Sequence, residues 1–198
     1  MKQYQERTFD IPKLKGLSTT SVEEHLKLYS GYVKHTNHIL EKIEVLRKED
    51  AEANKYEIGE LRRRLGFEFD GMRNHEYYFS AFEGGAQGLA DGDLKKAIEK
   101  EWDGYAEWSA EFTQMATTRG VGWAILYYDQ HANRLLNAWI DEQQFGHLTG
   151  CQPVLMLDMW EHSFVHDYQP SGKGQYVEDF FENLNWAVIE ENFKQAQK

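Results

Sequence analysis

The stretch Trp-Ala-Ile-Leu-Tyr-Tyr at 123–128, followed by Arg-Leu-Leu-Asn-Ala-Trp at 134–139, carries the clearest structural signal in the sequence. Both runs are short and rich in aromatic and branched residues, which is typical of β-strands. The polar residues 129–133 between them can reverse the chain, so the pattern predicts an antiparallel hairpin. Pro153 to Leu157 predicts a third strand. We therefore expect a small three-stranded antiparallel sheet.

A helical pattern precedes these strands. From Ser21 to about Leu65, apolar residues recur at spacings of three and four, and the polar segment 49–54 can turn the chain. This predicts a hairpin of two long helices. Ser21 and Glu24 fit a capping box, in which each side chain satisfies a backbone amide at a helix start.

Further helices are predicted on both sides of the strands, at 74–79, 93–101, 107–117, 176–183 and 186–193. The predicted fold class is α+β, with helices first and then a sheet wrapped by helices. We expect an N-terminal α-helical hairpin domain, residues 1–86, followed by an α/β domain, residues 87–198, which holds the three-stranded sheet.

Composition restricts the function. Among 198 residues, 33 are acidic and 22 are basic, which gives a net charge of −11 and argues against partners such as nucleic acid or an anionic membrane surface. No apolar run is long enough to cross a bilayer and no secretory leader is evident, so we expect a cytoplasmic protein. Cys151 is the only cysteine, so any metal must be held by His, Asp or Glu.

The densest group of such residues is Asp-Met-Trp-Glu-His-Ser-Phe at 158–164, directly after the third strand. Asp158 and His162 lie four apart and can turn toward one point, with Trp160 as an apolar wall. An oxygen ligand combined with imidazoles suits Fe or Mn better than a metal that prefers soft ligands. A salt-bridged histidine at a helix start explains these residues equally well on their own.

This stretch resembles the Asp-x-Trp-Glu-His-Ala-Phe/Tyr signature of the iron/manganese superoxide dismutases. Asn74-His75, Gly120 to Ala124, Tyr176 and Asn185-Trp186 resemble other segments of that family in the same order, so the resemblance covers nearly the whole chain. It implies one Fe or Mn ion per chain, held by three His and one Asp, and conversion of superoxide to oxygen and hydrogen peroxide. The residues do not distinguish iron from manganese.

The resemblance implies that His75, Asp158 and His162 are metal ligands, and the first ligand needs a separate argument. The family places a His eight residues before the Tyr of a Tyr-Val pair, where this chain has Glu24. His25 precedes Tyr32 by seven residues, nearly two helical turns, so both lie on one face of a regular helix. We predict that His25 is the ligand, on a helix without a π-bulge. Glu24 as a carboxylate ligand is the alternative.

The resemblance also implies roles around the metal. Tyr32 matches the gateway tyrosine that meets substrate, and Trp123 and Trp160 would form an apolar wall. In one form of the family a glutamine that bonds metal-bound solvent precedes Asn-His by three residues, where this chain has Gly71. The donor must then come from 141–147, where spacing favours Gln143. Gln144, Glu142 and His147 stay open.

Glu161 matches a family residue that crosses a dimer interface to the partner's ligand, so a homodimer through Glu161 and His162 is implied. A local ion pair of Glu161 is the alternative. The family commonly also has a His four residues after the first ligand and a Tyr three residues after the last. Here Tyr29, or Leu28 if Glu24 is the first ligand, and Val165 hold those places. A dimeric member that keeps the metal site but has lost efficient dismutation is therefore the alternative function.

Overall fold

The structure, a computed structural model, describes residues 2–198. Its helices and strands are α1 Thr19–Asp50, α2 Lys55–Ser80, α3 Asp93–Trp102, α4 Tyr105–Ala116, β1 Gly122–Asp129, β2 Arg134–Asp141, β3 Cys151–Asp158, α5 Lys173–Asn183 and α6 Trp186–Ala196, with 3-10 turns at Glu161–Ser163 and Pro170–Gly172. The predicted α+β class is confirmed, as is the three-stranded antiparallel sheet. The division at residue 86 into two domains stays a prediction.

Helix α1 begins earlier than the sequence pattern predicts. Ser18 is the N-cap, and its side-chain hydroxyl accepts a hydrogen bond from the backbone amide of Ser21 at 3.2 Å. Ser21 therefore lies inside the first turn, and the predicted capping box of Ser21 and Glu24 is wrong. Glu24 is exposed and accepts a 2.6 Å bond from Nζ of Lys27 instead.

Helix α2 is continuous from Lys55 to Ser80, so the prediction of a separate helix at 74–79 is wrong. The helix packs along α1, and the polar turn between them is held by Oδ1 of Asp50, which accepts from the amides of Glu52 and Ala53. Burial against α1 explains why α2 continues through its internal glycines, each of which costs a helix about 1 kcal/mol.

The sheet has the strand order β2-β1-β3, and all of its pairings are antiparallel. The central strand β1 is almost completely buried, because β2 and β3 flank it and helices cover it. Trp123 at the start of β1 pairs with Asp158 at the end of β3. This register places the aspartate at the edge of the sheet that faces α2, beside the indole of Trp123.

The remaining helices enclose the core on the other sides. An aromatic cluster at the centre of the core includes Trp108, Phe112, Phe180 and Phe193, all fully buried. Over residues 2–198, none of the helices combines the length and the apolar character needed to span a bilayer.

Candidate metal centre

Four side chains converge where the helical hairpin meets the sheet. His25 comes from α1, His75 from α2, Asp158 from the end of β3 and His162 from the 3-10 turn that follows. Each offers one ligand atom, and these atoms all lie within 4.8 Å of one another. Three of the side chains are buried, and His162 retains 24% of its exposure. The structure therefore brings together the four residues predicted as ligands.

The position of His25 follows from the regularity of α1. Every residue from Thr19 to Asp50 is α-helical, with no π-helical turn. His25 and Tyr32 therefore share one face, and the rings of both contact His75, with centroids 4.9 and 5.1 Å away. The exposed Glu24 is not part of the cluster.

The imidazoles point at a single carboxylate oxygen. Nε2 of His25 and Nε2 of His162 each lie 3.2 Å from Oδ2 of Asp158, and Nε2 of His75 lies 3.6 Å from it. A cation about 2.1 Å from each of four donors requires donors that are about 3–4 Å apart. The three distances to Oδ2 of Asp158 fit that requirement.

The protonation of His75 supports the same conclusion. Nδ1 of His75 donates to the backbone carbonyl of Gly71 at 2.6 Å, which places the proton on Nδ1. Burial, followed by the charge of His25, lowers the pKa of His75 to about 3, so the ring is neutral at physiological pH. Its Nε2 then carries a lone pair, is buried and has no hydrogen-bond partner within residues 2–198. A buried lone pair of this kind is available to a bound cation.

The charge on Asp158 is also maintained. Burial alone would raise the pKa of this carboxyl, but the neighbouring His162 and His25 outweigh burial and hold it below its usual range. Burial lowers the pKa of His25 in spite of the bond to Asp158. The cluster therefore offers a carboxylate and, at His25 and His75, neutral imidazoles, the forms in which these groups bind metals.

Asp158 is held rigidly by its surroundings. Its Oδ1 accepts from the backbone amide of Trp160 at 2.8 Å, and its backbone carbonyl accepts from the hydroxyls of Ser163 at 3.0 Å and Tyr176 at 2.9 Å. The Tyr176 hydroxyl also lies 3.1 Å from that of Tyr78. These contacts orient the carboxylate and leave Oδ2 directed toward the three histidines.

Gln143 lies beside the cluster in a chain of hydrogen bonds. Its Nε2 donates to the Tyr32 hydroxyl at 3.1 Å, and its Oε1 accepts from Nε1 of Trp123 at 3.0 Å. The backbone carbonyl of Gln143 accepts from Nδ2 of Asn74 at 2.9 Å and lies 3.2 Å from Nε2 of His147. The side chain is fully buried. The amide is therefore fixed at both ends next to Tyr32.

The other candidates for this role lie in different positions. His147 bonds the backbone of Gln143 and, through Nδ1, the hydroxyl of Tyr127 at 2.6 Å. The backbone carbonyl of Glu142 accepts from Nε1 of Trp160. The side chain of Gln144 lies against Gly66, nine residues before His75 in α2.

Gly71 explains why α2 does not supply a glutamine. A Cβ atom at this position would lie 2.6 Å from Cδ1 and 2.7 Å from Cε1 of Tyr32. The tyrosine ring thus occupies the space that a side chain at position 71 would need. Gln143, which is not part of α2, reaches the Tyr32 hydroxyl instead.

Aromatic rings enclose the cluster. The Trp123 ring is 5.1 Å from that of His75, the Phe79 ring is 4.9 Å from that of His25, and the Trp160 ring stacks on His162 at 5.8 Å. These rings exclude water from the ligands and lower the local dielectric constant.

The remaining predicted residues point away from the cluster or lie at the surface. The hydroxyl of Tyr29 donates to Oε1 of Glu76 at 3.2 Å and accepts from the amide of Arg7 at 2.9 Å, so it faces away from the imidazoles. Glu161 and Val165 are exposed. Within residues 2–198, Glu161 has no ion pair within 4.0 Å, although its charge acts on Lys173. Both the contact with a partner subunit and the local ion pair stay predictions.

Sequence reasoning missed several residues that support the site. Asn74 was identified only as part of the Asn74-His75 motif, although its side chain donates to the backbone carbonyl of Gln143, 69 residues later in the sequence. Phe67 and Arg64 on α2 also lie beside Tyr32 and were not identified. Their spacing of three residues from each other, within one helix face, was the only signal in the sequence.

Comparisons with known proteins agree with this geometry. The family model described as iron/manganese superoxide dismutases, C-terminal domain, matches residues 90–192. A superoxide dismutase (Fe) of Aquifex aeolicus is 33% identical over 189 residues, which is 93% of this chain and 88% of the relative. One of Cupriavidus metallidurans, also named (Fe), is 36% identical over 187 residues, or 93% and 92% of the two chains.

A manganese relative matches over a shorter range. Superoxide dismutase (Mn) 1 of Halobacterium salinarum is 42% identical over 105 residues, 53% of this chain and 52% of the relative. Relatives named for each metal are thus similar to this chain. Because identity above 30% extends over nearly the whole length and the site brings three histidines and an aspartate together, this chain belongs to the iron/manganese superoxide dismutases.

Proposed function

We propose that this protein converts superoxide to oxygen and hydrogen peroxide at one Fe or Mn ion held by His25, His75, Asp158 and His162. The observation that carries the proposal is the convergence of three Nε2 atoms on one buried carboxylate oxygen, with the Nε2 of His75 left without any other partner. The overall reaction consumes two superoxide ions and two protons and yields one oxygen and one hydrogen peroxide.

A bound Fe or Mn ion would supply the electron transfer, in which one superoxide is oxidised and the next is reduced. The protein supplies the surroundings. Asp158 contributes the anionic ligand, and the hydrogen bonds from Trp160, Ser163 and Tyr176 keep it in place. The histidines present nitrogen donors in a site that the neighbouring aromatic rings keep dry.

Proton delivery is assigned to Tyr32 and Gln143. Burial, together with the charges of Asp158 and Glu68, raises the pKa of Tyr32 above its usual value of 10, so its hydroxyl keeps its proton at neutral pH. Gln143 Nε2 donates to that hydroxyl, so the proton of Tyr32 is left available to another acceptor. A reduced oxygen species near Tyr32 would find a proton donor there.

One specific observation favours the alternative that turnover is low. Tyr29 takes the place of a family histidine, and its hydroxyl is bonded to Glu76 rather than to Tyr32. The proton route therefore lacks one expected member. The alternative predicts normal metal content with weak dismutation.

We further propose a homodimer in which Glu161 reaches His162 of the partner subunit. The Nε2 atom of His162 faces Asp158, which leaves Nδ1 on the outer side of a partly exposed ring. Glu161 is the adjacent residue in the sequence and is exposed, as are the apolar side chains of Val165 and Phe145 in the loops after β3 and β2. A second copy would give both the carboxylate and Nδ1 a partner.

The function is tested by loading the purified protein separately with iron and manganese and measuring metal content and superoxide consumption. We expect one metal per chain and dismutation with at least one of the two metals. His25→Ala should empty the site, whereas the control Glu24→Ala should retain full metal content. Metal content that depends on Glu24 and not on His25 would overturn the ligand assignment, and full occupancy without dismutation would favour the alternative.

The dimer is tested by sedimentation of the wild type and of Glu161→Gln at the same metal content. We expect a dimer for the wild type and a weaker association for the variant. A monomeric wild type would contradict the proposed interface.

A further inference from the structure

An ion pair between Arg64 and Glu68 lies close to the candidate metal centre on α2. Nε and Nη2 of Arg64 donate to Oε1 of Glu68 at 3.0 and 2.8 Å, one helical turn apart. The guanidinium also lies 3.8 Å from the centre of the Phe67 ring, a cation–π geometry. Phe67 is 6.0 Å from the ring of Tyr32 and 6.4 Å from that of Trp160. A single aromatic ring therefore separates the ion pair from two rings that contact the histidines.

The partly exposed side chains mark the approach to the cluster from solvent. His162 is the only one of the four cluster residues that retains partial exposure within residues 2–198. The neighbouring aromatic residues that also retain it are Tyr32, Phe67 and Trp160. A small anion that reaches the cluster therefore passes these rings, on the side of α2 that carries the ion pair.

Glu68 is an unfavourable residue in this position unless its charge is neutralised. Its side chain retains only 11% of its exposure, so water screens its charge poorly, while that of Arg64 retains 51%. A negative charge here repels an approaching anion, and the net charge of −11 provides no compensating attraction. Arg64 lies on the same side of α2, bonded to Glu68 and stacked on Phe67 beside Tyr32. The two opposite charges therefore act on an approaching anion from nearly the same place and with opposite sign.

We propose that the Arg64–Glu68 pair sets the affinity of the centre for small anions, because Arg64 neutralises a carboxylate that would otherwise repel them. The inference rests on the proposed function, since it requires a metal in the cluster and its natural ligand would be superoxide. The chemical class of the ligand is a small monoanion, and azide is the probe.

The proposal predicts opposite effects of the two single substitutions. Arg64→Ala leaves Glu68 unpaired and weakens azide binding, whereas Glu68→Gln leaves Arg64 unpaired and strengthens it. For charges roughly 10 Å from the bound anion, each effect is about twofold to tenfold at low ionic strength. Both effects shrink as salt is added, because the charges are near the surface. The double variant should bind azide about as the wild type does.

The test is a titration of azide into the iron(III)-loaded protein, followed by the change in visible absorption, at low and high ionic strength. Arg63→Ala and Glu60→Gln are matched controls. Nε of Arg63 bonds Oε2 of Glu60 at 2.8 Å in the same helix, and the Arg63 side chain is 71% exposed. It projects about 100° away from Arg64 around the helix axis, so these variants should leave the affinity unchanged.

Weaker binding in Arg64→Ala, stronger binding in Glu68→Gln and a near-normal double variant would support the proposal. Equal affinities in all variants, or a loss in both single variants, would overturn it while the proposed function stands. A chain that binds neither iron nor manganese would contradict the proposed function and this inference together.

Discussion

Tyr32 lies against Gly71 so closely that α2 has no room for a side chain at that position. A Cβ atom there would come within 2.6 Å of the tyrosine ring, which is closer than real Cβ contacts allow. Gly71→Ala would favour the helix by about 1 kcal/mol because alanine is the better helix former. The added methyl group must displace the ring, and overpacking of this kind costs about 1–3 kcal/mol.

The displacement also weakens the hydrogen bond from Gln143 to Tyr32, which contributes about 1 kcal/mol. The expected result is a net loss of about 1–3 kcal/mol in the free energy of unfolding. Gly59→Ala is the matched control in the same helix, because a Cβ atom at position 59 meets nothing within 4 Å. That variant should gain about 1 kcal/mol.

Thermal unfolding followed by circular dichroism distinguishes the two variants. One kcal/mol corresponds to about 2–4 °C for a chain of this size, so the Tm of Gly71→Ala should be lower than that of Gly59→Ala by about 4 °C or more. Both proteins must carry the same metal content, since a metal bound only to the folded state raises Tm. If Gly71→Ala melts at or above the temperature of Gly59→Ala, Tyr32 does not lie where the structure places it.

Two further predictions concern stability. Ser18→Ala should lower the free energy of unfolding by about 1 kcal/mol, because it removes the N-cap of α1. The control Glu24→Ala should change the free energy of unfolding by less than about 0.5 kcal/mol. Equal losses for the two variants in urea denaturation would contradict the observed cap. Burial tends to raise the pKa of Asp179, but its bonds with Tyr168 and Lys15 outweigh burial and hold it below the usual 3.8. The stabilisation from this carboxylate is therefore present above about pH 4 and is lost as the pH falls through the lowered pKa, so Asp179→Asn should be destabilising at pH 7 and progressively less so in acid. A stability difference that stays constant between pH 7 and pH 2 would refute that assignment.

The family resemblance predicted His75, Asp158 and His162 of the cluster, and helical periodicity selected His25 over Glu24. The spacing of seven between His25 and Tyr32 indicates a shared helix face, and both rings contact His75 in the structure. The strands were also predicted, because a short apolar run is a pattern of neighbouring residues that a single sequence displays. Asp158 and His162 lie on a strand end and the turn that follows, where a spacing of four allows both to face one point.

The predictions that were wrong depend on choices that local patterns leave undecided. Ser18 and Ser21 are both suitable N-caps, and packing of the first turn of α1 selects Ser18. The continuity of α2 depends on burial against α1, which a single helix pattern does not contain. The contacts of Asn74 with Gln143 and of Tyr176 with Asp158 join distant parts of the chain, so no spacing within the sequence could have predicted them.

The most direct test of the central claim is an anomalous X-ray diffraction map of the metal-loaded protein, collected at the absorption edge of iron or manganese. The account predicts one strong peak per chain, about 2.0–2.3 Å from Nε2 of His25, His75 and His162 and from Oδ2 of Asp158. A peak at another place, or a metal bound without His25, would contradict it.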